Sequence, residues 1–85
     1  MGGQEEDGMK KKLRYTAIIE LDEDGFYVAE IPSIRACYAQ GKTYEEAVEN
    51  LQDVLEMCLE EMKSRNEEIP PSSEVVGFKR MEVRV

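Results

Sequence analysis

The sequence contains no histidine and no tryptophan, and only two cysteines and three prolines among its 85 residues. Without histidine, the chain lacks the usual general base for serine and cysteine nucleophiles and the commonest nitrogen ligand of metal ions. Cys37 and Cys58 are too few and too widely spaced for a metal knuckle or a redox CxxC motif. We interpret both as small core residues, and the sequence predicts no metal site and no cofactor.

Basic residues are also scarce, since 11 Lys and Arg face 19 Asp and Glu, for a net charge of -8. Nucleic-acid binding requires a basic surface, so this balance argues against DNA or RNA as the primary partner. An acidic surface suits a basic protein partner, although acidity that only favours solubility explains the same charge. The chain shows neither a secretory signal nor an apolar run long enough for a membrane span, so we expect a cytoplasmic protein.

One amphipathic stretch, residues 41–66, dominates the pattern of the chain. Its apolar residues recur at helical spacing and form one stripe, while acidic residues cover the remaining circumference. Thr43 is a suitable N-cap, and Glu46, three residues later, completes a capping box. Asn66 can adopt the left-handed backbone conformation that commonly ends a helix. A single long helix of this kind requires a sheet to cover its stripe.

Strand patterns flank this helix. Alternating apolar residues predict strands over residues 13–21 and 26–31, joined by an acidic turn at 22–25. A shorter apolar run over 34–40 predicts a third strand, and alternation over 78–85 predicts a fourth, edge strand. The order β-β-β-α-β indicates an α+β fold in which one long helix packs on a mostly antiparallel sheet.

Length and composition allow a single domain. We predict that residues 1–12, which are polar and rich in glycine near the start, form a disordered leader. Residues 13–85 are then the domain. A domain this small buries little apolar surface, so self-association is a common source of additional stability.

Acidic residues at the hairpin are the main candidates for catalysis. The hairpin carries four clustered carboxylates, which could in principle hold magnesium: Glu20, Asp22, Glu23 and Asp24. A two-metal nuclease, however, requires carboxylates that converge from separate elements, whereas these diverge around one turn. We therefore predict a non-enzymatic protein with no catalytic residues, and a minimal metal-dependent nuclease is the alternative.

Apolar residues outside the helix stripe indicate a protein interface instead. A hairpin face carrying Ile18, Tyr27 and Ala29 is our candidate for self-association. The alternative is that such residues only fill the rim of the core. The remaining candidate partner-binding residues are exposed aromatic, methionine or hairpin-tip acidic side chains, namely Tyr38, Met57, Asp22 and Asp24.

Two stretches resemble the HicB-like family of antitoxins. They are residues 15–34, YTAIIELDEDGFYVAEIPSI, and residues 37–57, CYAQGKTYEEAVENLQDVLEM. The shared pattern is a hairpin with an acidic turn, a proline at Pro32, and a Gln-Gly pair before the capped helix. The resemblance implies a partial RNase H-like fold without the nuclease carboxylates. It also implies that the protein binds and neutralises a small basic HicA toxin, an mRNA-cleaving protein, and we expect a homo-oligomer, a dimer or a tetramer.

Two features depart from the family pattern. Ala36 stands where the family has a glycine before the cysteine. Residues 71–85 suffice for one strand but not for the DNA-binding domain of longer HicB antitoxins, so we expect no direct DNA binding. An orphan homo-oligomeric scaffold without a toxin partner is therefore a second alternative.

Overall fold

A computed structural model describes residues 12–71 and 76–85. The chain forms β1 (Ile18–Leu21), β2 (Tyr27–Glu30), β3 (Tyr38–Gly41) and then α1 (Tyr44–Ser64). The strands form one antiparallel sheet in the order β1-β2-β3, and α1 packs on one face of it, mainly over β3 and β2. The predicted α+β class, with one long helix on an antiparallel sheet, is confirmed.

The turn between β1 and β2 is held by one aspartate. The Asp22 carboxylate accepts the backbone N–H groups of Asp24 and Phe26, each at 2.9 Å. The Asp22 N–H donates to the Phe26 carbonyl at 2.8 Å, and Gly25 adopts a positive φ of 89°. The acidic turn predicted from the sequence is therefore a hydrogen-bonded structural unit.

Strand register separates the two faces of the sheet. Ile19, Ala29 and Ala39 lie opposite one another across the three strands and pack toward α1. On the neighbouring rung, Ile18 and Tyr38 flank Glu30 on the face away from α1, because successive side chains alternate. The buried residues between sheet and helix are Ala29, Ile31, Ile34, Cys37, Ala47 and Leu51.

Both predicted ends of the helix are confirmed. The Thr43 hydroxyl accepts the Glu46 N–H at 3.0 Å. The Glu46 carboxylate reaches back to the N–H of Lys42 rather than to that of Thr43, so the capping box is displaced by one residue. Asn66 ends the helix with a φ of 60°, and its N–H donates to the Lys63 carbonyl at 3.0 Å.

The junction of β3 and α1 requires glycine. A Cβ atom at Gly41 would lie 2.5 Å from the Ala47 nitrogen and 2.8 Å from the Glu46 carbonyl carbon. Both neighbours are backbone atoms of the first helical turn, so they cannot move aside without unwinding it. The absence of a side chain at Gly41 allows α1 to fold directly back onto the sheet.

The third strand begins later than predicted. Residues 34–37 form a tight loop in which the Ile31 N–H donates to the Cys37 carbonyl at 3.0 Å and the Ile34 N–H donates to the Ile31 carbonyl at 3.0 Å. Ala36 adopts a φ of 59° within this loop. Ile34 and Cys37 are buried as loop anchors, so their apolar character reflects core packing rather than strand pairing.

The prediction of a fourth strand over residues 78–85 is wrong for one isolated copy of the chain. Described residues 76–85 form no strand, and the large apolar side chains of 78–85 are exposed. An alternating sequence becomes a strand only when a neighbouring edge supplies hydrogen bonds, and no described strand of the same copy does so. The leader predicted at 1–12 lies, except for its last residue, outside the described residues. No helix in the described part of the chain has the length and apolar character needed to cross a membrane.

Candidate partner-binding surfaces

Carboxylates of the hairpin tip face solvent but do not converge. Glu20, Glu23 and Asp24 are exposed, while the carboxylate of Asp22 is engaged by two backbone N–H groups. Within residues 12–71 and 76–85, no group of three or more cysteine or acidic side chains is arranged to hold a metal ion. The geometry of the tip is that of a charged turn.

The outer surface of α1 carries a dense band of exposed carboxylates. Near the end of the helix, Arg65 pairs with Glu61 and Glu67 at 3.3 Å in two exposed ion pairs. Such pairs contribute little to stability, because solvent screens them. The larger consequence is a negative field along the helix, which favours a basic partner. Five exposed carboxylates on one side of α1 are called here the acidic helix face: Glu45, Glu49, Asp53, Glu56 and Glu60.

Exposed apolar side chains lie on both layers of the domain. Tyr38, at 63% exposure, projects from the sheet face that α1 does not cover, and Met57, at 61%, projects from the helix. Ile18 shares the uncovered sheet face and is partly buried. Isolated exposed apolar residues are normal, but aromatic and methionine side chains are enriched in protein interfaces.

The hairpin face predicted to carry Ile18, Tyr27 and Ala29 does not exist as a single surface. Ala29 is 0% exposed, and Tyr27 packs against the same core beneath α1. Ile18 lies on the opposite face of the sheet. The grouping was wrong because positions 18 and 29 occupy neighbouring rungs of the ladder, and neighbouring rungs point to opposite faces.

Sequence reasoning missed a groove between α1 and the 31–37 loop. Its apolar floor is contributed by Ile34, Cys58 and Met62, and Arg35 and Arg65 stand at its rim. The groove has a volume of about 520 Å³ and is open to solvent on one side. No sequence signal marked it, because its two walls come from segments that are distant in the chain.

The two cysteines meet in the core. Cys37 is buried beneath α1, and the partly buried Cys58 packs against the same core cluster, close enough for the two thiols to interact. Burial, followed by the neighbouring Cys58 group, raises the pKa of Cys37 to about 11. The thiol therefore stays protonated near neutral pH and is a poor nucleophile. Sequence spacing gave no indication of this pairing.

A hydrogen bond anchors the chain that follows the helix. The Tyr15 hydroxyl donates to the Pro70 carbonyl, which holds the chain after α1 beside the residues that lead into β1. Partial burial raises the pKa of Tyr15, so its hydroxyl remains a donor well above neutral pH. The next described residues, 76–85, are themselves exposed to solvent.

The family model for the HicB-like antitoxin of bacterial toxin-antitoxin systems matches residues 15–82. The chain belongs to this family. A UPF0150 protein of Synechocystis sp. is 40% identical to this HicB-like chain over 72 residues, which are 85% of the chain and 97% of the relative. A UPF0150 protein of Thermoplasma acidophilum is 43% identical over 58 residues, or 68% and 84% of the two chains.

A solved structure shows the same architecture. The crystal structure of TTHA0281 from Thermus thermophilus is 38% identical and superposes with a TM-score of 0.63, covering 81% of this chain and 82% of the other. The resemblance noted from the hairpin and the capped helix is thereby confirmed. The family match extends into the segment beyond the helix, which the hairpin and helix pattern did not include.

Proposed function

We propose that this HicB-like chain is a non-catalytic antitoxin that self-associates and neutralises a small basic HicA-type toxin. The toxin would be an mRNA-cleaving protein, so the proposed place of action is the cytoplasm. The supporting observation is the acidic helix face, which lies on a member of an antitoxin family. Masking a basic catalytic or RNA-binding surface requires complementary charge rather than chemistry of its own.

Charge supplies the first part of the proposed recognition. Described residues 12–71 contain 14 acidic and 6 basic side chains, a net charge of -8. A field of this sign accelerates encounter with a basic protein and loses strength as salt screens it. Binding to the toxin should therefore weaken steeply with ionic strength.

Apolar contacts supply the second part. Tyr38, opposite Glu30 on the uncovered sheet face, and Met57, between Glu56 and Glu60 along α1, are large and exposed, and each is a candidate anchor of a separate contact. The hairpin-tip carboxylate of Asp24 is a further candidate contact, since it is exposed and Asp22 already holds the turn. The groove lined by Ile34 and Cys58 is a second candidate site for an inserted side chain.

Where a neighbouring gene encodes a short basic protein, co-expression with that protein tests the proposal. We expect co-purification and rescue of growth, with binding that weakens between low and high salt. The triple variant Glu49→Lys, Asp53→Lys, Glu56→Lys should abolish rescue, and the uncharged variant Glu49→Gln, Asp53→Asn, Glu56→Gln should weaken it less. These exposed positions leave the fold intact, which circular dichroism verifies.

Absence of both binding and rescue would contradict the proposal. A self-associating chain that captures no basic protein would then support the alternative of an orphan scaffold. Magnesium-dependent RNA cleavage by the purified chain would instead support the minimal nuclease. Against the nuclease stands the lack, among residues 12–71 and 76–85, of any group of three or more cysteine or acidic side chains that could hold a metal ion.

A further inference from the structure

Residues 78–85 have the pattern of a strand but pair with no strand in the described part of the chain. Met81 and Val83 are 81% and 82% exposed, and Val85 lies on the same side of an extended chain. Arg80, Glu82 and Arg84 would occupy the other side. A segment with one apolar and one charged side fits the edge of a sheet whose one face is buried and whose other face is solvated.

β1 offers an edge of this kind. The Asp22 N–H bonds to the Phe26 carbonyl, so the backbone groups of Glu20 and Ile18, two and four residues earlier, also point toward β2. The backbone N–H and C=O groups of Ile19 and Leu21 therefore point away from the sheet. No strand among residues 12–71 and 76–85 of the same copy pairs with them.

The opposite edge of the sheet is less accessible. The Ile31 N–H bonds to the Cys37 carbonyl, so by the same alternation Gln40 points away from β2. Its carbonyl accepts the side-chain amide of Asn50 at 2.9 Å. α1 therefore covers part of the β3 edge, and β1 is the free template.

Side-chain chemistry matches the segment to β1. Leu21 is 61% exposed on the same face of the sheet as Tyr27 and the core, where Met81 or Val83 would cover it. Glu20 and the acidic turn that follows give this edge negative charge. Residues 78–85 contain three cations and one carboxylate, a net charge of +2 in a chain that is otherwise strongly acidic.

We propose that residues 78–85 of one copy pair with the outer edge of β1 in a second copy, and that the exchange is reciprocal. Each copy has both parts, and neither part pairs with a described strand of its own copy, so a two-fold arrangement satisfies two edges at once. The Tyr15–Pro70 hydrogen bond directs the chain after α1 past the start of β1, where the two exchanged segments would cross. This inference specifies how the self-association in the proposed function occurs.

Light scattering after size-exclusion chromatography tests the exchange with the full chain and the variant Val83→Pro. A paired strand excludes proline only where the missing N–H would face the neighbouring strand, so the V83P protein also carries Glu82→Pro, and one of the two lost donors then faces β1 in either register. The matched control is Val76→Pro, which alters an equally exposed valine outside the pairing residues. We expect a wild-type mass of at least twice 9.8 kDa, an unchanged mass for V76P, and a mass for V83P reduced by half or more.

Amide hydrogen exchange identifies the edge. In wild type, we expect the amides of Ile19 and Leu21 to exchange at least about tenfold more slowly than in V83P. The Glu20 amide is an internal control, because its bond to β2 persists in both proteins. A monomeric wild type, an associated V83P, or equal exchange of Ile19 in both proteins would each overturn the proposal. A V83P monomer that still binds the basic toxin would show that toxin binding does not depend on the exchange, whereas an exchanged dimer that binds no toxin would contradict only the proposed function.

Discussion

Cys37, at the end of the β2–β3 loop, is a buried free thiol, and Cys58 of α1 packs against the core cluster that contains it. The pair therefore joins the loop to the helix. Burial is the first cause of the raised Cys37 pKa, and Cys58 adds to it. The protonated Cys37 thiol is therefore part of the packing of the core.

The raised pKa of Cys37 makes stability depend on alkaline pH. The folded state favours the neutral thiol, so its contribution is complete below the ordinary thiol pKa near 9.0 and is lost as pH rises through about 11. We expect the free energy of unfolding to fall by roughly 2 kcal/mol more in wild type than in Cys37→Ala over this range. Urea titrations at pH 8 and pH 11 measure the difference. Parallel pH curves for the two proteins would show that Cys37 contributes nothing.

Ala36 stands in a backbone conformation that favours glycine. Its φ of 59° costs an L-residue about 1–2 kcal/mol, a cost that glycine does not have. Glycine also makes the unfolded chain more flexible, which offsets only part of the stability gained by the substitution. We expect Ala36→Gly to stabilise the domain by roughly 0.5–1 kcal/mol in chemical denaturation. Ala39→Gly is the control, because position 39 lies in regular β3 and glycine there should destabilise. A destabilised A36G would indicate that the loop gains nothing from glycine.

Local chemistry made the helix predictable. Thr43 and Asn66 are residues whose preferences act within one turn, so the sequence around each position suffices to place the helix ends. The Asp22 turn was predictable for the same reason. The loop at 34–37 was not, because Ile34 and Cys37 are apolar on account of contacts with a helix that lies far along the chain.

Surfaces were less predictable than elements. An alternating pattern gives two faces, but only the register shows that Ile18 faces away from α1 while Ala29 faces toward it. Residues 78–85 illustrate the same limit, because their pattern specifies strand character without specifying which edge completes it. The Cys37–Cys58 contact and the groove at Ile34 depend on the crossing of helix and loop, which no local pattern encodes.

Gly41 should be the least replaceable glycine described. A methyl group at this position meets two backbone atoms of α1 within 2.8 Å, so Gly41→Ala should destabilise the domain by about 3 kcal/mol. Gly25→Ala is the matched control, since a Cβ there has no atom within 4 Å and only its positive φ opposes the change. We expect G25A to cost about 1 kcal/mol. Thermal melts distinguish the two, and equal losses would show that backbone conformation rather than steric contact governs both positions.

The two aspartates of the hairpin should differ in their effects on stability. Asp22 accepts two backbone N–H groups, so Asp22→Ala should destabilise the domain by about 1–2 kcal/mol, whereas Asp24→Ala, which removes an exposed side chain, should change stability by less than about 0.5 kcal/mol. Asp22→Asn keeps an oxygen acceptor and should recover most of the loss. Denaturation of the three variants measures these values. If D22A instead matched wild type in stability while D22A and D24A both removed a magnesium-dependent RNA cleavage, the hairpin would be a catalytic site rather than a structural turn.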